Sequence, residues 1–305
     1  MSLKKIGAFG TALAATFALA YGVADAVAPD SARTTAESPA HSMGSDEDEA
    51  HAGDTHGGDG PSAAHTPGGL QISERGYTLD LLTPRLTAGE KSVLRFAVRD
   101  ADGHPVTSYR TEHEKELHLI VASRDLTAYR HLHPVRAADG TWSIATTLPE
   151  AGAYRVFADF TPAAEKEGLT LGTDLAVTGT YRPSAPPAPA PTATVDGYSV
   201  RLGGTLRAGE ESELTFTVTR DGRAVTDLQP YLGAYGHLVA LRSGDLAYLH
   251  VHPHQEAHGT ETSGPRVSFT AAAPSAGTYR LFLDFKTGGT VHTAAFTLTA
   301  GGHGH

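Results

Sequence analysis

Histidine occurs in this chain in a spaced pattern that is repeated. His118 is followed, after twelve intervening residues, by His131, then by His133 and Pro134; His237 is followed in the same way by His250, His252 and Pro253. Each copy reads H-x12-H-x-H-P. Imidazole is a borderline ligand that suits Cu(II), Zn(II) and Ni(II), and three imidazoles with one open position make a mononuclear site. Calcium and magnesium want oxygen donors, which the motif does not supply. The pattern predicts a three-histidine metal site in each copy: His118, His131 and His133 in the first, His237, His250 and His252 in the second.

Such a site needs strands that aim the rings at one point. Residues 116–123 read as one strand and 128–133 as the next, joined by a tight turn at Asp125-Leu126. Alternate residues share a face, so His131 and His133 project together. With a two-residue turn the register sets His118 opposite His133 and Ile120 opposite His131. Opposed residues have Cβ atoms about 4.5–5.5 Å apart, close enough for the rings to converge. In the second copy Gly244-Asp245 is the turn, and the same register sets His237 opposite His252. Leu119, Val121 and Leu132 then form the core face, with the histidines on the other. Glu114 and Glu116 are candidate fourth ligands, and Asp159 and Asp284, at matching places in the two copies, are candidate ligands or orienters of an imidazole. His292 has no counterpart in the first copy and is either a surface residue or an extra ligand. The rival reading is structural: His118 and His237 as partly buried, backbone-bonded residues of strands that Pro134 and Pro253 terminate.

The duplication extends beyond the histidines. Gly76-Tyr77 matches Gly197-Tyr198, Ala88-Gly89-Glu90 matches Ala208-Gly209-Glu210, and Asp102-Gly103 matches Asp221-Gly222. Ala151-Gly152-Ala153-Tyr154-Arg155 matches Ala276-Gly277-Thr278-Tyr279-Arg280. Short β-branched and aromatic runs punctuated by Gly, Asp and Pro, with no helical period, predict an all-β chain of two immunoglobulin-like β-sandwich modules in tandem, an up-and-down barrel being the alternative. The modules are expected at 71–181 and 195–300, joined by a stiff Pro/Ala linker at 182–194.

The chain has 305 residues, a formal charge of -10, no cysteine, two methionines and 17 histidines. Acidity argues against nucleic acid and favours cations. Lack of cysteine excludes disulfides, thiolate zinc sites and iron–sulfur clusters. Residues 1–28, with Lys4 and Lys5 ahead of an apolar run, read as an export signal, cleaved near Ala24-Asp25-Ala26, or as a retained membrane anchor. The body of the protein is therefore expected outside the cytoplasm, where copper is oxidised, which makes Cu(II) the first expectation and Zn(II) the alternative. Residues 29–70 hold His41, Met43, an acidic run and His51, His56 and His65, and are expected to form a disordered spacer. His303 and His305 lie in a flexible tail, 301–305.

At the histidine motifs the chain resembles secreted two-module proteins of actinobacteria loosely described as heavy-metal-binding. The resemblance is carried by Glu116-Leu117-His118-Leu119-Ile120-Val121 with His131-Leu132-His133-Pro134, and by Tyr231-Leu232-Gly233-Ala234, His237-Leu238-Val239 and Tyr248-Leu249-His250-Val251-His252-Pro253, over residues 76–300. More distantly, the chain is similar to immunoglobulin-like surface copper carriers. The resemblance implies surface placement and copper or zinc handling, and brings no established activity. The expected function is thus a non-enzymatic metal carrier or buffer that passes its ion to a membrane transporter or oxidase, with the membrane touched only through an uncleaved N-terminal anchor. Two other classes compete. One is a surface adhesion or interaction module whose histidines bind no metal specifically. The other is a copper enzyme of superoxide-dismutase type, which the missing cysteines disfavour. No phosphate loop or nucleophile elbow is present.

Overall fold

The computed structural model describes residues 66–301 other than 258. The expected export segment, most of the spacer, and His303 and His305 lie outside the described residues. Among the described residues no helix is long and apolar enough to cross a membrane.

The first copy comprises β1 (Ser73–Glu74), β2 (Tyr77–Leu81), β3 (Arg85–Thr87), β4 (Lys91–Arg99), β5 (Tyr109–Arg110), β6 (Leu117–Ser123), β7 (Tyr129–Leu132), β8 (Val135–Arg136), β9 (Trp142–Thr147), β10 (Gly152–Pro162) and β11 (Leu169–Thr178). The second comprises β12 (Thr192–Val195), β13 (Tyr198–Gly203), β14 (Glu211–Arg220), β15 (Arg223–Ala224), β16 (His237–Arg242), β17 (His250–Pro253), β18 (Arg266–Ala272), β19 (Gly277–Thr287) and β20 (Thr290–Ala300). In the first module one sheet runs β1-β2-β4-β9-β8 and faces another running β3-β11-β10-β6-β7. The first strand thus splits, with β2 on one sheet and β3 joining β11 in parallel on the other. This is the two-sheet, crossed-over topology of an immunoglobulin-like sandwich. The second module keeps the two-sheet plan but distributes its strands differently, with β12-β13-β14-β18-β17 against β16-β19-β20.

Alternation explains the sandwiching. Leu94, Phe96 and Val98 on β4 and Leu214, Phe216 and Val218 on β14 are buried at every second position and fill the two cores. Each sandwich is pinned by a tyrosine at the start of its long strand. Tyr154 Oη donates to Glu150 O (2.9 Å) and Tyr279 Oη to Ser275 O (2.7 Å). This is the tyrosine corner of immunoglobulin-like domains, and it accounts for the repeated Ala-Gly-x-Tyr.

A third apolar cluster lies between the modules. Ile120, Ala122, Leu126, Tyr129 and Phe157 from the first pack against Val239, Leu241, Leu246 and Phe282 from the second. The contact is reciprocal. Tyr129 stacks on Phe282, centroids 3.9 Å apart, and its counterpart Tyr248 packs on Phe157, counterpart of Phe282, at 5.9 Å. The connecting segment is docked as well as extended: Thr297 Oγ1 on β20 donates to Pro187 O at 2.6 Å. The segment ahead of β1 is held too. Arg155 donates to the carbonyls of Gly69 and Leu70, and Tyr248 N donates to Gly68 O.

Candidate metal centre

β6 is buried along its whole length, because each of its faces meets a hydrophobic body. Leu117, Leu119 and Val121 enter the first core, while Ile120 and Ala122, on the face of His118, enter the intermodule cluster. His118 is 4% exposed. The β6–β7 hairpin has the expected register, with Ile120 opposite His131 and Leu119 opposite Leu132. Leu126 takes a positive φ of 58° in its turn. β7 ends one residue short of His133, whose ring centroid still lies 5.2 Å from that of His118 and 4.8 Å from that of His131.

The second copy begins in the same way. Its turn runs through Gly244 and Asp245, Leu241 bridges Tyr248, and Leu249 N donates to Ala240 O. There the likeness stops. From His250 the chain joins the opposite sheet, pairing His250 with Ala272 and His252 with Thr270 on β18. The expected opposition of His237 and His252 is therefore corrected. The reason lies one residue before the motif's second histidine. Leu249 is buried in the second core, whereas its counterpart Arg130 is only half-buried and its side chain donates to Tyr129 O. Leu249 draws the strand across the sandwich; a guanidinium cannot.

His237 instead meets the histidines of the first copy. Its ring centroid lies 4.7 Å from that of His131 and 5.4 Å from that of His118, with His113 at 5.9 Å. One ring nitrogen from each of His118, His131 and His237 lies within 4.8 Å of the other two. The structure thus brings together His118, His131, His133 and His237 in one cluster between the modules. It places His250 and His252 on β17, in the opposite sheet.

Hydrogen bonds fix which nitrogens face inward. His118 Nε2 lies 3.2 Å from Glu112 O, and a carbonyl only accepts, so this nitrogen carries the proton and Nδ1 is turned to the cluster. His131 Nδ1 lies 2.8 Å from Asp284 Oδ2, which leaves Nε2 facing inward; His131 and Asp284 side chains are each 2% exposed. These two inward nitrogens, His118 Nδ1 and His131 Nε2, are 3.2 Å apart. Two nitrogens on one ion with bonds of about 2.0–2.1 Å would sit roughly 2.9 Å apart at the right angle Cu(II) prefers and roughly 3.3 Å apart at the tetrahedral angle of Zn(II), so a small movement of either ring suits both ions. His133 Nε2 is buried with no hydrogen-bond partner. An orphaned imidazole nitrogen beside a pre-spaced pair fits a transition ion as donor chemistry.

Electrostatics favours the ligand form of the rings. Burial, aided by His131, pushes His118 down to about 3 and His133 to about 4. Burial and the neighbouring imidazoles hold His237 well below the usual range. Neutral imidazole is what a metal binds. Asp159, the counterpart of Asp284, accepts from Thr170 Oγ1 at 2.9 Å and bonds no imidazole; burial raises it to about 6. Among the other candidates, Glu116 is held by Arg136 and Glu114 is exposed on its turn. His292 is neither surface nor cluster: it is buried against Tyr198 and Phe285 and bonded to Asp196 at 2.7 Å. Asp100, Asp102 and His104 also lie close together, but Asp100 there accepts the backbone N–H groups of its own turn.

His113 was missed by sequence reasoning, since its turn has no spacing signal. It sits at positive φ (48°) between Glu112 and Glu114, and the matching turn of the second copy holds Leu232. Tyr231, which carries part of the resemblance but was given no role in the site, has its ring centroid 6.3 Å from that of His133.

A family described as a domain of unknown function (DUF8832) matches residues 72–177 and again 193–302. The chain belongs to this family. Its two matches coincide with the two sandwiches and support a duplicated, two-module arrangement. No curated protein matches the chain. Among solved structures it is similar to Salmonella alpha-2-macroglobulin (14% identity, TM-score 0.27, covering 78% of this chain and 15% of that one). It is also similar to the Escherichia coli adhesin FdeC (15% identity, TM-score 0.24, covering 76% of this chain and 65% of that one). For the Yersinia pseudotuberculosis InvD structure the figures are 15% identity and TM-score 0.23, with 76% of this chain and 59% of that one covered. The chain spans less than two thirds of the length of each of these three.

Proposed function

We propose that this protein is a non-enzymatic, extracytoplasmic metal carrier or buffer that holds one ion between its modules, with Cu(II) as cargo ahead of Zn(II). The observation that carries the reading is the convergence of His118, His131 and His237, buried and drawn from both modules, with Asp284 orienting His131. His133, whose buried Nε2 has no hydrogen-bond partner and whose ring lies beside those of His118 and His131, is the candidate fourth ligand. Imidazole-rich sites rank Cu(II) above the other divalent ions. The export-type segment at residues 1–28 supports placement outside the cytoplasm, and a membrane transporter or oxidase is the expected recipient.

The test is calorimetric titration of the full chain with Cu(II) and with Zn(II), beside a His118→Ala/His131→Ala/His237→Ala variant. Loss of one tight equivalent in the variant supports the reading, and the ion bound more tightly names the cargo. Equal tight binding by both proteins would sink it and leave a duplicated sandwich acting as an interaction scaffold.

A further inference from the structure

His252 lies on β17 and is followed two residues later by a further histidine, His254. β17 is the edge strand of its sheet, and residues two apart on a strand share a face at a spacing of about 6.6 Å. Val251 packs against the second core, while His252 and His254 are exposed. His252 stands abreast of Thr270 on β18, and Thr270 abreast of Glu213 on β14. Paired residues of a ladder present their side chains to the same face. His254, two residues on and still in register through its N–H bond to Ser268 O, joins that row. Its Nε2 lies 2.7 Å from Thr270 Oγ1 and its Nδ1 3.9 Å from Glu213 Oε1.

We propose that His252 and His254, with Glu213, form a second metal site, open to solvent, for a divalent transition ion such as Cu(II). Two imidazoles and a carboxylate suit such an ion and leave positions for water. Thr270 fixes the His254 ring by its Nε2 side and leaves Nδ1 turned towards Glu213. The first module has nothing comparable. The residues matching Glu213, Thr270 and His254 are Val93, Ala145 and Val135, of which Val93 and Val135 are large exposed apolar side chains. The patch is therefore not a feature of the scaffold copied by duplication. An exposed site exchanges its ion faster than one enclosed between two sandwiches, and it binds more weakly because it has fewer imidazoles.

The experiment is Cu(II) titration of the full chain and of its His252→Ala/His254→Ala variant, by calorimetry and by paramagnetic broadening of amide signals. Both residues are exposed, and circular dichroism checks that the variant keeps its strands. The expected result is loss of one weaker equivalent with an unchanged tight equivalent, and, when the two substitutions are placed in the His118→Ala/His131→Ala/His237→Ala background, loss of Cu(II) broadening at the Val251 and Ala271 amides. His254→Ala alone should weaken the second class about a hundredfold, as a chelating pair becomes a single donor. Equal stoichiometry in wild type and double variant, with no broadening at Val251 once the buried triad is removed, would overturn the proposal. The His118→Ala/His131→Ala/His237→Ala variant should keep the weaker class, so this site and the buried one fail independently.

Discussion

The carboxylate of Asp284 accepts from His131 Nδ1 at 2.8 Å and from Thr293 Oγ1 at 2.5 Å, so both of its oxygens are engaged. A carboxylate behind a ligand imidazole sets the ring's tautomer and raises its basicity, and removing such a group costs about 10–100-fold in metal affinity. Asp284→Asn should therefore weaken Cu(II) binding by about that factor in a competition titration. Asp159→Asn, at the matching position, should change it far less, because Asp159 bonds Thr170 and no imidazole. The same rings govern the response of the metal-free protein to pH. His118, His133 and His237 all titrate below their ordinary value in the folded state, mainly through burial, while in the unfolded chain they titrate near 6.5. Below that value the unfolded state binds more protons, so stability is full above about 6.5 and falls as pH drops towards 4 and 3. Asp159, raised to about 6, opposes this with a single proton. Urea midpoints measured from pH 8 to pH 5 should fall, and saturating metal should shift the fall to lower pH. A midpoint that rises on acidification would contradict the burial of these rings.

At the scale of elements, the apolar stretches Leu119-Ile120-Val121-Ala122 and Leu238-Val239-Ala240-Leu241 matter most. Unbroken apolar runs of that length mark strands buried on both faces, and here the second face is the other module. The duplicated hairpins were legible in the sequence because register follows from turn chemistry. Both copies pair as the turns at Asp125-Leu126 and Gly244-Asp245 require. The departure of β17 was not legible, because it hangs on one non-equivalent position, Leu249 against Arg130, and burial of that leucine is decided by the whole second core. Equal spacing of histidines could not reveal that the two copies fold them differently. Phe282 tests the face that the two modules share. It is buried, stacked on Tyr129, and belongs to the intermodule cluster rather than to either sandwich core. Phe282→Ala should cost about 3–5 kcal/mol, as for other buried aromatics, with the loss read as a lower denaturation midpoint. It should also weaken metal binding, since the cluster needs both modules in place. A stability change within about 0.5 kcal/mol, as at an ordinary surface position, would mean that the two faces do not pack in solution.

For the molecule as a whole, an ion held at the proposed site would act as a bond between modules. His118, His131 and His133 come from one sandwich, His237 and Asp284 from the other, and the covalent link between them is a segment whose residues are mostly exposed. A ligand that binds only the docked arrangement stabilises it by RT ln(1 + [L]/Kd), about 2.7 kcal/mol at a hundredfold excess over Kd. Cutting the chain at a protease site placed in the exposed Ala188–Ala190 stretch, away from Pro187 and its bond to Thr297, exposes this coupling directly. The apolar cluster alone should hold the halves together weakly in the presence of a chelator. Saturating Cu(II) should then tighten their association about a hundredfold, seen by sedimentation as one species at concentrations where the chelated sample separates. The His237→Ala protein, cut in the same way, should show no such dependence on metal, because the second module then contributes no imidazole to the shared ion. Metal-independent association of both cut proteins would place the ion within a single module and remove the shared site.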